Sequence, residues 1–106
     1  EDDDFVICGY IEKEANVTSI VIGKYNEQNA LVYKGHVTLG VSNHALKIIK
    51  SQKILDTPLF DINDNIIWIE PKLVCVVKYM QKAELGGLRQ PVFKGLSEKY
   101  PNECKS

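Results

Sequence analysis

Long apolar runs are missing from this 106-residue chain. Nothing in it approaches the ~20 consecutive apolar residues that a membrane span needs, and its acidic opening, Glu1–Asp4, is unlike a secretory leader. Cysteine is scarce: Cys8, Cys75 and Cys104 make an odd number with no C-x-x-C pair. A disulfide framework and a zinc site are both disfavoured, and a reducing compartment is the better expectation. His36 and His44 stand alone, without carboxylates at ligand spacing. There is no G-x-x-x-x-G-K-[ST] loop, no G-x-G-x-x-G and no H-E-x-x-H, which removes the commonest sequence signatures of nucleotide and zinc chemistry. Asp61–Asn65 clusters oxygens but lacks the spacing and final glutamate of a calcium loop, so a structural turn is expected there. Charge of one sign is lacking too, since the net value is −1. That does not advertise a nucleic-acid binder.

The charge is unevenly placed, however. Four of the acids are Glu1, Asp2, Asp3 and Asp4, and without them residues 5–106 carry +3. A phosphate-binding face is therefore allowed. Length and ordinary composition fit one globular domain. A first residue of Glu rather than Met fits a piece of a longer protein, with residues 1–4 a solvated linker and residues 5–106 the folded unit.

Taken in order, Phe5–Tyr10 reads as a strand, Ile11–Asn16 as a turn, and Thr18–Tyr25 as a second strand bounded by Asn26–Asn29. Gly23 inside that strand marks a bulge or a close backbone approach. Leu31–Leu39 alternates, with Leu31, Tyr33 and Val37 on one face and Val32, Lys34, His36 and Thr38 on the other. Ser42 is an N-cap, followed by Ala45, Leu46, Ile48 and Ile49 at helical spacing, and the helix should end near Ile54 or Leu55, before Pro58. Leu59–Asn65 is irregular and Ile66–Ile69 is a short strand. Leu73–Met80 and Leu88–Lys94 form a hairpin around Gly86–Gly87, with Pro91 demoting the second run to an edge. Three strands, a helix and further strands is the order of the five-stranded Greek-key OB-fold barrel, with one helix between strands 3 and 4. Cys75 alternates with Leu73 and Val77, so it should pack in the core.

The stretch Trp68–Leu96 carries more than a hairpin. Its Trp68, Pro71, Leu73 and Val74, followed by Gly87, Leu88, Arg89, Pro91, Phe93, Lys94, Gly95 and Leu96, resemble the C-terminal OB domain of ATP-dependent DNA ligases, especially bacterial ones. Asp4–Tyr10, Ile20–Tyr25 and Leu31–Gly40 fit the same family, so the resemblance spans nearly the whole chain. It implies a domain that closes over an upstream nucleotidyltransferase domain for adenylylation and then clamps nicked duplex DNA from the minor-groove side. ATP and Mg would act through that upstream domain, with none bound by this chain alone. The implied setting is a monomeric, cytoplasmic, nucleoid-associated bacterial protein of DNA repair and recombination. No Lys-x-Asp-Gly motif occurs here, so the 106 residues alone should be inactive.

For DNA contact the candidates are Arg89, Gln90, Lys94, Lys34, His36 and Lys78. Arginine forks onto phosphate or reaches into a narrow groove; the family's L-R-x-P arginine falls on Arg89, and Gln90 is placed to touch sugar. The plainer reading of Arg89 is an edge-strand partner of Glu70 or Glu84. Lys24, Lys72 and Lys82 read as solvated surface lysines. The tail departs from the family. Where relatives have Arg-x-Asp-Lys to orient pyrophosphate, this chain has Ser97, Glu98, Lys99 and Tyr100. Serine cannot supply a positive fork, so the nucleotide-facing role is weakened more than the DNA-facing one. Val76 also stands where bacterial relatives commonly carry glutamate. A diverged OB module for nucleic acid or protein, without a ligase role, is the alternative; Tyr33, Tyr79 and Phe93, expected on apolar faces, argue against base stacking.

Overall fold

One strand touches nearly everything else. In the computed structural model, which describes residues 2–62, 64–80 and 88–105, β1 runs over Asp2–Glu12 and pairs antiparallel with three others. These are β2 (Thr18–Tyr25), β4 (Ile67–Trp68) and β5 (Val74–Lys78). A register shift between Ile7 and Gly9 lets one strand serve both halves of the sheet, because a bulge bends the strand and sharpens its twist. β3 (Leu31–Val37) flanks β2, and β6 (Val92–Ser97) flanks β5. The order is β3-β2-β1-β5-β6, with β4 off the path on β1. The protein is mainly β, with one α-helix among the described residues, α1 (Asn43–Lys50), between the third and fourth strands.

Three details differ from the expectation. The described sheet has six strands rather than five. Nor does a continuous ladder close it: the edges meet through one parallel bridge, Leu39 to Val92, where the Phe93 N–H donates to the Leu39 carbonyl at 2.8 Å. The architecture is OB-like, joined at that seam. Asp2–Asp4, expected as a solvated linker, lie inside β1 opposite Lys78, Val77 and Val76.

Alternation on β1 builds two cores. Phe5, Ile7 and Tyr10 join Ile20, Ile22, Val37, Cys75, Val77, Tyr79 and Phe93 under α1, which contributes Ala45 and Ile49. Val6, Cys8 and Ile11 face the other way, onto Val21, Trp68, Val74 and Cys104. The irregular stretch after α1 covers this second core with Leu55, Leu59, Phe60, Ile62 and Ile66; the Phe60 ring meets Trp68 edge-on at 5.6 Å and Tyr33 at 5.7 Å. Gly23 sits at a close backbone approach. A Cβ there would lie 2.7 Å from the Val32 carbonyl oxygen and 3.1 Å from the Phe60 ring, and the β2–β3 register slips at this residue.

Local signals are obeyed where nothing distant competes. The Ser42 hydroxyl accepts from the Ala45 N–H at 3.1 Å and starts α1. The helix stops at Lys50, four to five residues before the expected end. Residues 53–55 are claimed by extended pairing instead: Glu70 N–H donates to Lys53, Leu55 N–H donates to Trp68, and Ile54 bridges Ile69. Ser51 Oγ and Gln52 Nε2 then take the Ile48 carbonyl. Pro91 acts more strongly than expected, since β6 begins only after it, at Val92. The hairpin turn at Gly86–Gly87 lies outside the described residues.

Candidate functional site

The β5–β6 register slips between Val76 and Val77, leaving Lys94 as the extra residue. Beside these strands is an open groove of about 610 Å³, lined by Leu39, Lys78, Met80, Gln90, Val92 and Lys94 with Tyr79 behind them. Three of the six expected DNA-contacting side chains thus share one concavity, and all three are exposed. Arg89 adjoins it: it is exposed, it precedes Gln90, and its carbonyl accepts the Met80 N–H at 3.1 Å. Gln90 has a positive φ of 49°, so the chain turns sharply between Arg89 and β6.

Lys34 and His36 lie on β3 rather than in the groove. The link between the two regions is Gly35, where a Cβ would stand 4.0 Å from the Leu88 backbone nitrogen. His36 is exposed, and its Nδ1 lies 3.4 Å from the Tyr33 hydroxyl. This corrects the expected alternation on β3. Lys34 is the extra residue in the ladder, so Gly23 faces Tyr33 while Ile22 faces Gly35. The slip puts Tyr33 on the side of His36 and Phe60 and turns Val37 alone into the main core. Tyr33 is consequently 37% exposed, edge-on to Phe60 but outside the main core, whereas Tyr79 and Phe93 are buried as expected.

The plainer reading of Arg89 is weakened. Among the described residues Arg89 makes no ion pair, and Glu70 is taken by Lys72 at 3.1 Å; Glu84 lies outside the described residues, as does Lys82. Lys24 is the clearest miss. It is 5% exposed rather than solvated, paired with Asp3 and held 4.8 Å from the Phe5 ring centroid. In the altered tail, Lys99 reaches the Asp4 carboxylate at 2.5 Å. That hydrogen bond, with the carboxylate's charge, holds the Lys99 ammonium above its usual range. Ser97 Oγ accepts the Lys99 N–H at 3.2 Å, and Glu98 and Tyr100 are exposed. Ser97 and Lys99 are therefore occupied by the chain's own groups.

Sequence reasoning overlooked Leu39 and Met80, which are 65% and 69% exposed. Each looked like the end of an apolar strand. Among the described residues no group of three or more His, Cys, Asp or Glu is arranged for a metal. No described helix is long and apolar enough to cross a membrane. Burial pushes the Cys8 thiol up to about 12 and the Cys75 thiol higher still.

Residues 13–99 match the family described as ATP dependent DNA ligase C terminal region. The multifunctional non-homologous end joining protein LigD of Pseudomonas aeruginosa is 30% identical over 112 residues, covering 92% of this chain and 13% of that protein. Among solved structures, the ligase domain of M. tuberculosis LigD aligns with a TM-score of 0.82 at 25% identity, covering 98% of this chain and 38% of that one. A mycobacterial DNA ligase D complexed with ATP and MES aligns with a TM-score of 0.79 at 27% identity, covering 98% and 37%. The chain thus spans about an eighth of the curated relative and well under half of the structural ones.

Proposed function

The chain belongs to the family of ATP-dependent DNA ligase C-terminal regions, and from that premise we propose that it is the DNA-clamping OB domain of such a ligase. In this reading an upstream nucleotidyltransferase domain carries the lysine that takes the adenylyl group and binds ATP and Mg. This domain closes over it for adenylylation, then turns onto nicked duplex DNA. The chain works as one monomeric unit of a cytoplasmic bacterial repair enzyme and is inactive by itself.

The observation that carries the DNA-facing half is the convergence of Lys78, Gln90 and Lys94 on one open groove with Arg89 beside it. No carboxylate lines that groove among the described residues. Cations held on one concave face release counterions when they meet phosphates, so affinity should fall as salt rises. Lys34 and His36 extend the surface along β3. The nucleotide-facing half is weaker in this chain. The arginine of the family's final motif is replaced by Ser97, and Lys99 is engaged by Asp4.

The test is titration of a labelled nicked duplex at rising salt, using the ligase polypeptide that contains this domain. Arg89→Glu should weaken binding by about 1–3 kcal/mol if its contact is a charge-assisted hydrogen bond. Absent or salt-independent binding would sink the proposal. Preference for a single strand over the nicked duplex would favour the alternative of a diverged binding module.

A further inference from the structure

We propose that Leu39 and Met80 form an apolar seat on which the sugar faces of one DNA strand rest, between the phosphate-facing lysines Lys78 and Lys94. The inference rests on the DNA-binding reading above and assigns it two residues that carry no charge. Both side chains are large and more than half exposed, at 65% and 69%, and both line the same groove. Isolated surface hydrophobes need no explanation, but two converging in one concavity do.

Their backbones are fixed, so they are not loose ends. The Leu39 carbonyl accepts the Phe93 N–H at 2.8 Å at the seam between β3's end and β6. The Met80 N–H donates to the Arg89 carbonyl at 3.1 Å. One hydrogen bond ties the apolar seat to the edge strand, and the other ties it to the residue expected to meet phosphate.

Charge complementarity selects the occupant. Lys78 and Lys94 make no ion pair with any described residue, and no acid lines the groove among those residues. A ligand that fits needs negative groups at the margins and apolar surface between them. A deoxyribose-phosphate strand has that pattern, because C–H faces of the sugar alternate with phosphates along it. The Gln90 amide adds a donor and an acceptor within the same wall.

The two kinds of contact differ in their response to salt. Phosphate contacts release counterions and steepen the dependence, whereas apolar burial releases none. In the ligase polypeptide, the pair Leu39→Ser with Met80→Ser should lower affinity for a nicked duplex by about tenfold at every salt concentration, with the slope unchanged. Lys78→Ala and Lys94→Ala should each flatten the slope by about 0.9. Met80→Leu keeps the apolar surface and should retain near-native affinity. Melting temperatures of all variants identify any that fail to fold, and Met80→Ser alone leaves the seam at Leu39 untouched.

If the double serine variant binds like the parent while the lysine variants lose slope, the seat is refuted and the DNA reading stands. If no variant changes either quantity, the DNA reading fails with it. A variant that binds DNA normally but adenylylates slowly would assign the groove to the catalytic domain and overturn the inference.

Discussion

Gly40 should be the most sensitive small residue in the chain. It follows Leu39 at the seam between the sheet's two edges, with φ at +87°. A Cβ there would stand 2.4 Å from the Phe93 carbonyl oxygen, 3.0 Å from Val92 Cγ1 and 3.2 Å from the Phe93 nitrogen. Two of those three neighbours are backbone, so no rotamer change relieves them. Gly40→Ala adds left-handed strain of about 1–2 kcal/mol. Pushing β6 away also threatens the Phe93 N–H to Leu39 hydrogen bond, and an orphaned buried donor costs about 1–3 kcal/mol. Together these predict a loss of about 2–5 kcal/mol, or a fall in Tm of at least ~8 °C for a domain of this size. Gly95→Ala is the control, because Gly95 also has a positive φ, +149°, but nothing lies within 4 Å of its added Cβ. It should lose only the conformational part. Urea melts of both variants measure the difference, with the midpoint moving and the m-value constant. Equal losses for Gly40→Ala and Gly95→Ala would refute the claim that close approach at the seam dominates.

Buried Lys24 and its partly exposed partner Asp3 should respond asymmetrically. Lys24→Met replaces a buried cation with an apolar chain of similar length and should change stability by no more than about 1 kcal/mol, whereas Asp3→Ala strands the cation and should cost about 3 kcal/mol or more; denaturant melts that reverse this order would refute the reading. The thiols give a third check. Cys8, held at about 12 and fully buried, should react with a thiol reagent at mild alkaline pH only as the protein unfolds. Cys104, on the tail and held at about 11, should be released first by local opening. Fast native-state labelling of Cys8 would contradict the described packing.

How much of this was legible in the residues depended on the range of the cause. Gly23 was readable because a glycine inside a strand marks a close approach even when the approaching atoms, here Val32 and Phe60, are distant in sequence, and Ser42 because a cap acts through immediate neighbours. The order of strands and helix was readable for the same reason. Lys24 was not. Its burial comes from Asp3 on another strand and from the ring of Phe5, and a lysine after a glycine looks like surface. Tyr33 was misplaced because alternation assumes an unbroken ladder, and the slip at Lys34–Gly35 reverses which face the preceding residues occupy. The end of α1 was misplaced because pairing with residues 68–70 outbids local helix preference at 53–55. Of the candidate site, Lys78, Gln90 and Lys94 could be chosen one by one as polar residues of a hairpin. That they converge, and that Leu39 and Met80 complete the wall, depends on the seam between β3 and β6, which no window of sequence contains.

On the proposed DNA-binding reading a net charge of −1 is a poor guide to partners, and the placement of the carboxylates gives a reason. Asp3 is spent on Lys24 and Asp4 on Lys99, while Glu70 holds Lys72. Those carboxylates neutralise lysines away from the groove. Lys78 and Lys94 make no ion pair among the described residues, with Arg89 adjoining and Asp2 opposite Lys78 in the β1–β5 ladder. Screening confines an exposed charge's influence to about 8 Å at physiological salt. What an approaching phosphate meets is therefore the local set, not the sum over the chain. Of the acidic opening, Asp3 and Asp4 are engaged by Lys24 and Lys99 and so add little to the field at the groove. Adding acids elsewhere on the surface should then alter the isoelectric point more than it alters affinity for DNA.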